Sequence, residues 1–282
     1  MKLIDLDRSL AVTARNRHSP YVCLVALAAA SVLALHAETA QEKGKRLVNE
    51  CVDALGGDRY LKMENREESG RAYSFYREQL SGLSIAKIYT RYYPVQDTAH
   101  ELAQRERQNF GKKEDYGVLF LGKEAWDITY RGARPLPSDR FARYLETTLR
   151  DIFYILRVRL HEPGLIFEAR GSDVIENSPV EIVDITDADN RTTKVYFHQT
   201  TKLPVRQVFF RRDEVTKDRD EEVTRYTKYR DAGGIQWPLM IERARNGEKI
   251  YEIFSEAVKV DNPKEPESLY SLPSTIKLLK PE

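Results

Sequence analysis

The chain has 282 residues, of which 41% are hydrophobic, 10% aromatic and 32% charged. That mixture is too apolar for a disordered chain and too polar for a polytopic membrane protein. Forty-five Lys and Arg against 44 Asp and Glu leave a net charge of +1, without the basic excess of a dedicated nucleic-acid binder.

A cationic stretch with Lys2, Arg8, Arg15 and Arg17 precedes an apolar and small-residue run from Val22 to Leu35. The run suits a secretory h-region and falls short of the roughly 20 residues that span a bilayer. The spacing predicts a signal peptide over residues 1–37, cleaved after Ala37, although Leu35 rather than a small residue occupies the −3 position. An uncleaved anchor or a buried helix is the alternative. Cleavage removes four cations and two acids, a net +2, and leaves residues 38–282 at −1 as one exported domain, not integral to the membrane and expected to be monomeric. Cys23 departs with the leader, so Cys51 has no partner for an internal disulfide.

Residues 40–57 read as a helix, because Leu47, Val48, Cys51, Val52 and Leu55 form one stripe and Gly56-Gly57 stops it. A second helix is predicted from Ser138, as N-cap, to His161, with an apolar face that includes Phe141, Tyr144, Leu149, Phe153 and Leu156 and a back of Arg140, Arg143, Glu146, Arg150 and Arg157. Strands are predicted over 68–80, 83–93, 101–110, 115–121, 124–131, 165–171, 180–187, 192–199, 204–212, 221–230, 236–245 and 249–259. The turns between them include Ser81-Gly82, Gly122-Lys123, Asp189-Asn190 and the strong hairpin signal Asn246-Gly247. Connections this short make the strands antiparallel. The fold class is α+β and mostly antiparallel β: a meander with one helix before it and one inserted midway. Such a sheet, with one apolar face, closes into a barrel or curls round a cover.

Chemical motifs are absent or out of context. Gly117 to Lys123 matches a phosphate-binding loop in spacing, but Glu124 stands where Ser or Thr should hold the metal and a strand follows instead of a helix. Asp184, Asp187, Asp189 and Asn190 lack the central glycine and terminal glutamate of a calcium loop and read as a turn. His100, His161 and His198 have no metal-site spacing, and no nucleophile elbow is present. Cys51 sits on a helical apolar stripe as a buried thiol, so neither a catalytic residue, a metal nor a cofactor is expected. What remains is an aromatic and aliphatic lining on the strands: Tyr73, Phe75, Tyr89, Trp126, Ile128, Tyr130, Val195, Phe197, Val208, Phe210, Leu239 and Ile241. Each could be ordinary core; as a set, under only two helices, they leave apolar surface for a ligand groove.

Several stretches resemble the exported proteins of the outer-membrane lipoprotein-sorting (LolA-like) superfamily. They are Asp53-Ala54-Leu55-Gly56-Gly57, Glu68-Ser69-Gly70-Arg71, Thr201-Lys202-Leu203-Pro204-Val205-Arg206 and Gly234-Ile235-Gln236-Trp237-Pro238, then Asn262-Pro263 and Leu269-Tyr270-Ser271-Leu272-Pro273. The resemblance implies an unclosed, curved β half-barrel with helices over its mouth and a periplasmic location. It further implies an apolar cavity for the acyl chains of a lipid or lipoprotein, without catalysis. The expected role is a carrier, with Phe153 and Leu156 on a lid helix and an envelope protein as donor or acceptor. The alternative is a sensor or complex subunit that binds a protein partner. An enzyme acting on lipid or glycan would need His161 or His198 beside carboxylates at the cavity mouth.

Overall fold

Thirteen antiparallel strands form one sheet in the computed structural model, which describes residues 38–212 and 217–281. The leader predicted over 1–37 lies outside the described residues. Thr39 opens helix α1 (Ala40–Leu55) with a capping box: Glu42 N donates to Thr39 Oγ1 at 3.2 Å and Thr39 N to Glu42 Oε2 at 2.8 Å. The helix ends at Leu55, as Gly56 (φ 129°) turns the chain into the short α2 (Asp58–Leu61).

Strands β1 (Asn65–Tyr76), β2 (Gln79–Tyr92), β3 (Gln104–Phe110), β4 (Tyr116–Phe120), β5 (Ala125–Thr129) and β6 (Gly132–Pro135) follow as a meander. Helix α3 (Ser138–Leu149) and the α4 turn (Ile152–Tyr154), which continues as a π-helical segment over Ile155–Arg159, then lead to β7 (Ile166–Ile175). The second meander runs through β8 (Ser178–Thr186), β9 (Thr192–His198), β10 (Pro204–Arg212), β11 (Arg219–Asp231), β12 (Gln236–Arg245) and β13 (Glu248–Val260). β13 pairs with β1, so the order is β6-β5-β4-β3-β2-β1-β13-β12-β11-β10-β9-β8-β7, with β6 and β7 as edges. The sheet is unclosed, and the helical segment between β6 and β7 must cross from one edge to the other.

Three details differ from the sequence reading. The β1–β2 turn is Arg77-Glu78, both at positive φ (50° and 61°), while Ser81 and Gly82 lie inside the ladder. β6 is an additional strand. Its outer edge is covered by the C-terminal segment, where Ala133 N donates to Lys277 O and Leu279 N to Ala133 O. The long helix is broken. Ser138 is its first residue after Pro137 rather than a side-chain cap, and Asp151 interrupts it by accepting hydrogen bonds from Phe153 N (2.9 Å) and Tyr154 N (3.2 Å). Gln207 Oε1 takes the Ile152 N–H at 2.8 Å, so α4 begins with its first three donors satisfied.

The main core lies where α1 and α4 fill the concave face of the β7–β12 half. Leu47, Val48, Cys51, Val52 and Leu55 pack there with Ile152, Phe153, Ile155 and Leu156, over strand residues such as Val183, Val195 and Phe197. α1 approaches β7 closely at Gly44, where a Cβ would stand 2.6 Å from the Phe167 carbonyl oxygen. Helix propensity alone would favour Gly44→Ala by about 1 kcal/mol. We expect the variant instead to lose stability by about 1–2 kcal/mol in urea unfolding, because overpacking outweighs propensity.

Candidate functional site

The other half of the concave face stays open. A cavity of about 530 Å³ lies between α3, the start of α4 and strands β1–β4 and β10–β13. α4 is fixed beneath it. Phe153 packs edge-on to Tyr226 and against Trp237, Tyr60 Oη donates to Phe153 O at 2.6 Å, and Arg157 donates through Nε and Nη2 to Met63 O. α3 is held more lightly: Leu149 is its buried residue, and Tyr144 stacks on Phe120 with centroids 3.5 Å apart.

The lining is mixed rather than apolar. Ile88, Phe110, Phe120, Phe153, Ile241, Ile250 and Ile253 share it with Arg66, Glu68, Gln104, Glu106, Asp151, Thr224 and Arg243. Arg66 is fully engaged. Its Nε meets Glu68 Oε1 at 2.7 Å, its Nη2 donates to Thr90 Oγ1 at 3.3 Å, and its guanidinium covers the Trp237 ring at 3.9 Å. Ser255 Oγ donates to the other Glu68 oxygen at 2.9 Å, so this pair is closed to further partners.

Two other charged groups are less committed. Glu106 accepts hydrogen bonds from Gln108 (2.5 Å) and Thr90 (3.5 Å) but has no ion-pair partner among the described residues, and burial pushes its carboxyl above the usual range. Arg243 makes no hydrogen bond or ion pair among the described residues, and its Nε is enclosed without an acceptor. The Tyr251 hydroxyl, opposite Arg243 in the β12–β13 ladder, is pushed up to about 12 by burial. Asp151 is likewise raised by burial, although Arg243, its capping bonds and Tyr226 oppose the shift. A guanidinium and a carboxyl facing a half-enclosed space can orient the polar end of a molecule whose apolar part lies on the isoleucines and aromatics.

Of the candidates named from sequence, Phe153 and Ile241 line this cavity. Leu156, Val195 and Phe197 are in the main core beneath α1. Tyr89 lies out of phase with the cavity-lining Ile88, and Tyr73 pairs with the exposed Leu83, so both occupy the other face. Trp126 and Ile128 pair with Leu119 and Gly117, out of phase with Val118 and Phe120, which pack under α3. Val208 joins Val223, Ala244 and Tyr196 in a separate small cluster. Phe210 is exposed beneath the Arg219 guanidinium, Phe75 lies under Lys249, Tyr130 is 80% exposed in a turn, and Leu239 is half-buried outside the lining. Sequence reasoning missed Arg66, Glu68, Glu106 and Arg243. Their signal was the alternation Arg66/Glu68, Gln104/Glu106/Gln108 and Arg243/Arg245, which marks one face of each strand.

Other chemistry is set elsewhere. Neither His161 nor His198 lines the cavity, and His198 Nδ1 accepts the N–H groups of Thr200 and Thr201 in a turn. Gly122-Lys123 is a hairpin connection, and Asp187 accepts from Asp189 N and Arg191 N in the β8–β9 turn. Cys51 is buried, and loss of solvation raises its thiol far above the usual range, which leaves it unreactive. Among the described residues no helix is long and apolar enough to cross a membrane.

An unclosed antiparallel half-barrel whose inserted helices cover a concave cavity is the LolA-like fold, and this chain has it. A DUF1329 family protein from Desulfovibrio piger is similar at a TM-score of 0.56 and 12% identity, over 83% of this chain and 98% of that one. An outer membrane lipoprotein-sorting protein domain from Vibrio parahaemolyticus is similar at 0.55 and 9%, over 81% and 97%. At these identities the likeness establishes the fold alone. No family model and no curated protein matches the sequence.

Proposed function

We propose that the protein is an exported, non-catalytic carrier or binding protein for an amphiphile, an acyl chain with a polar head. The observation that carries this is the half-enclosed 530 Å³ cavity, in which aliphatic and aromatic side chains stand beside Arg243 and Glu106, charged groups without ion-pair partners among the described residues. The volume falls in the range of small-molecule sites, and each buried methylene contributes about 0.8 kcal/mol to affinity. Export rests on the leader over residues 1–37. The lipoprotein-sorting name of a similar domain fits an acylated ligand and a periplasmic setting. In this reading α3 is the movable cover and α4, with Phe153 and Leu156, is its fixed base. Native mass spectrometry of the mature chain, purified without detergent from an exporting host, tests it. A stoichiometric lipid or acylated peptide released by organic solvent is the expected result. A bare protein mass that stays bare after incubation with palmitate and lysophospholipid overturns it.

A further inference from the structure

The β1–β2 hairpin projects beyond β3, its neighbour on the β2 side, while β13 runs on beside β1 to Glu248. Its ladder continues to Tyr76 opposite Gln79, whereas β13 stops pairing with β1 at Ser74 and β3 meets β2 no further than Ala86. This overhang carries Tyr76, Leu80, Leu83 and Ile85, exposed by 66, 57, 60 and 42%. They fall within ten consecutive residues and account for four of the ten exposed large hydrophobic side chains among the described residues.

On the β3 side two more tips lie at this end of the sheet, and on the β13 side the Asn246-Gly247 turn lies there as well. Register runs from Ala86 through Phe110 and Tyr116 to Thr129, which places the turn with Lys112 and Lys113 and the turn with Tyr130 and Arg131 beside the overhang. From β2 to β5 the row is about 15 Å wide at ordinary strand spacing. Arg77 lies over the Tyr76 ring and Arg131 over the Tyr130 ring, each at 5.3 Å, and Arg131 Nε donates to Tyr130 Oη. Four cations face two acids there, Glu78 and Asp115, because Glu114 is taken up by Lys87. The opposite ends of these strands differ: Lys123 is bridged to Glu101, His100 to Asp97 and Arg91 to Glu265. The cavity reaches the apolar end, since Phe110 and Ile250, next to the last rungs, line it.

We propose that this row of tips docks the protein on an anionic lipid bilayer, with the hairpin side chains entering the interface beside the cavity mouth. Tyrosine rings with snorkelling arginines, lysines and a few aliphatic groups are the side chains that partition into a headgroup region. A projecting hairpin flanked by two cationic tips suits a soft, negatively charged plane. The surface acts independently of what the cavity holds.

The test is co-sedimentation of the mature chain with phosphatidylcholine vesicles, with and without phosphatidylglycerol, at low and high salt. Binding is expected to rise with phosphatidylglycerol and to fall with salt. The triple variant Leu80→Ser, Leu83→Ser, Tyr130→Ser is expected to bind about tenfold more weakly with an unchanged melting temperature, since these side chains are exposed. Binding of a fluorescent fatty acid in vesicle-free solution is measured on the same proteins, so an empty cavity and a failed docking surface are told apart. Absence of sedimentation with either vesicle, equal sedimentation of the variant, or a hairpin-dependent dimer without vesicle binding overturns the proposal.

Discussion

Replacement of Arg159 by methionine is expected to cost about 3–5 kcal/mol of folding stability, the cost of leaving buried charges uncompensated. Arg159 is 1% exposed and stands at the end of the π-helical segment. Its Nη2 meets Glu162 Oε1 at 2.7 Å and Asp187 Oδ2 at 2.9 Å, and its Nη1 donates to Leu149 O at 2.5 Å. One guanidinium thus ties the last residue of α3, the exit of α4 and the β8–β9 turn, and its removal leaves buried Glu162 without an ion-pair partner among the described residues and Asp187 with Arg191 alone. Asp187 supplies the pH test. Burial would raise its carboxyl, but Arg159, Arg191 and the Arg191 amide override this and hold it below the usual range. With a depressed folded value, its contribution is complete above the unfolded carboxylate pKa of about 3.9 and is lost as pH falls through the folded value. The gap between wild type and Arg159→Met should therefore be widest at neutral pH and shrink in acid. Urea unfolding followed by tryptophan fluorescence at both pH values measures it. A neutral-pH difference under about 1 kcal/mol would mean that the cluster is dispensable.

That cluster also shows where the sequence was legible and where it was not. Twelve of the strands were readable because their period-two alternation is bounded by turn chemistry, as at Asn246-Gly247, where φ values of 50° and 84° are those of a tight hairpin. β6 was hidden because Gly-Ala-Arg-Pro has no alternation, and its pairing partner at residues 277–279 is distant in the chain. The β1–β2 turn was misplaced because Arg77-Glu78 has weaker turn chemistry than Ser81-Gly82, and the ladder overrode the local preference. The helix break was masked by an apolar pattern that continues through it, although Asp151 before Ile152 is itself a capping signal.

The site was less legible for a different reason. Alternation separates the two faces of a strand but does not say which is concave. On β5 the apolar phase, Trp126 and Ile128, is the reverse face, while Ala125 and Asp127 share the phase of the core residues Phe120 and Val118. On β1 the charged phase, Arg66 and Glu68, turns inward in place of the Tyr73 phase, and on β12 Arg243 follows Ile241 on the face expected to be apolar. Much of the apolar surface expected to hold a ligand is consumed by α1 and α4 in the core.

The charged inward phase makes the second large prediction specific to one atom group. Arg243 projects from β12 between Thr224 of β11 and Tyr251 of β13, and it lines the cavity without a hydrogen-bond or ion-pair partner among the described residues. A ligand with an anionic head would supply that partner, and a hydrogen bond to a charged group contributes about 1.5–3 kcal/mol. Arg243→Met should accordingly weaken palmitate binding by about 10- to 100-fold, while methyl palmitate, which has the same chain and no charge, changes by less than about twofold. The guanidinium makes no hydrogen bond or ion pair among the described residues that would be broken, but it offsets the burial of the Asp151 and Glu106 carboxyls, so urea unfolding of the variant is measured alongside its binding. Glu106→Gln should act in the opposite direction, because it removes a like charge from the space that a carboxylate head would enter. Competition against a fluorescent acyl probe reads all four combinations. Parallel loss of acid and ester would show that Arg243 only shapes the wall. Unchanged affinity for both would place the head elsewhere, beside the α3 residues Arg140 and Arg143 that border the same cavity.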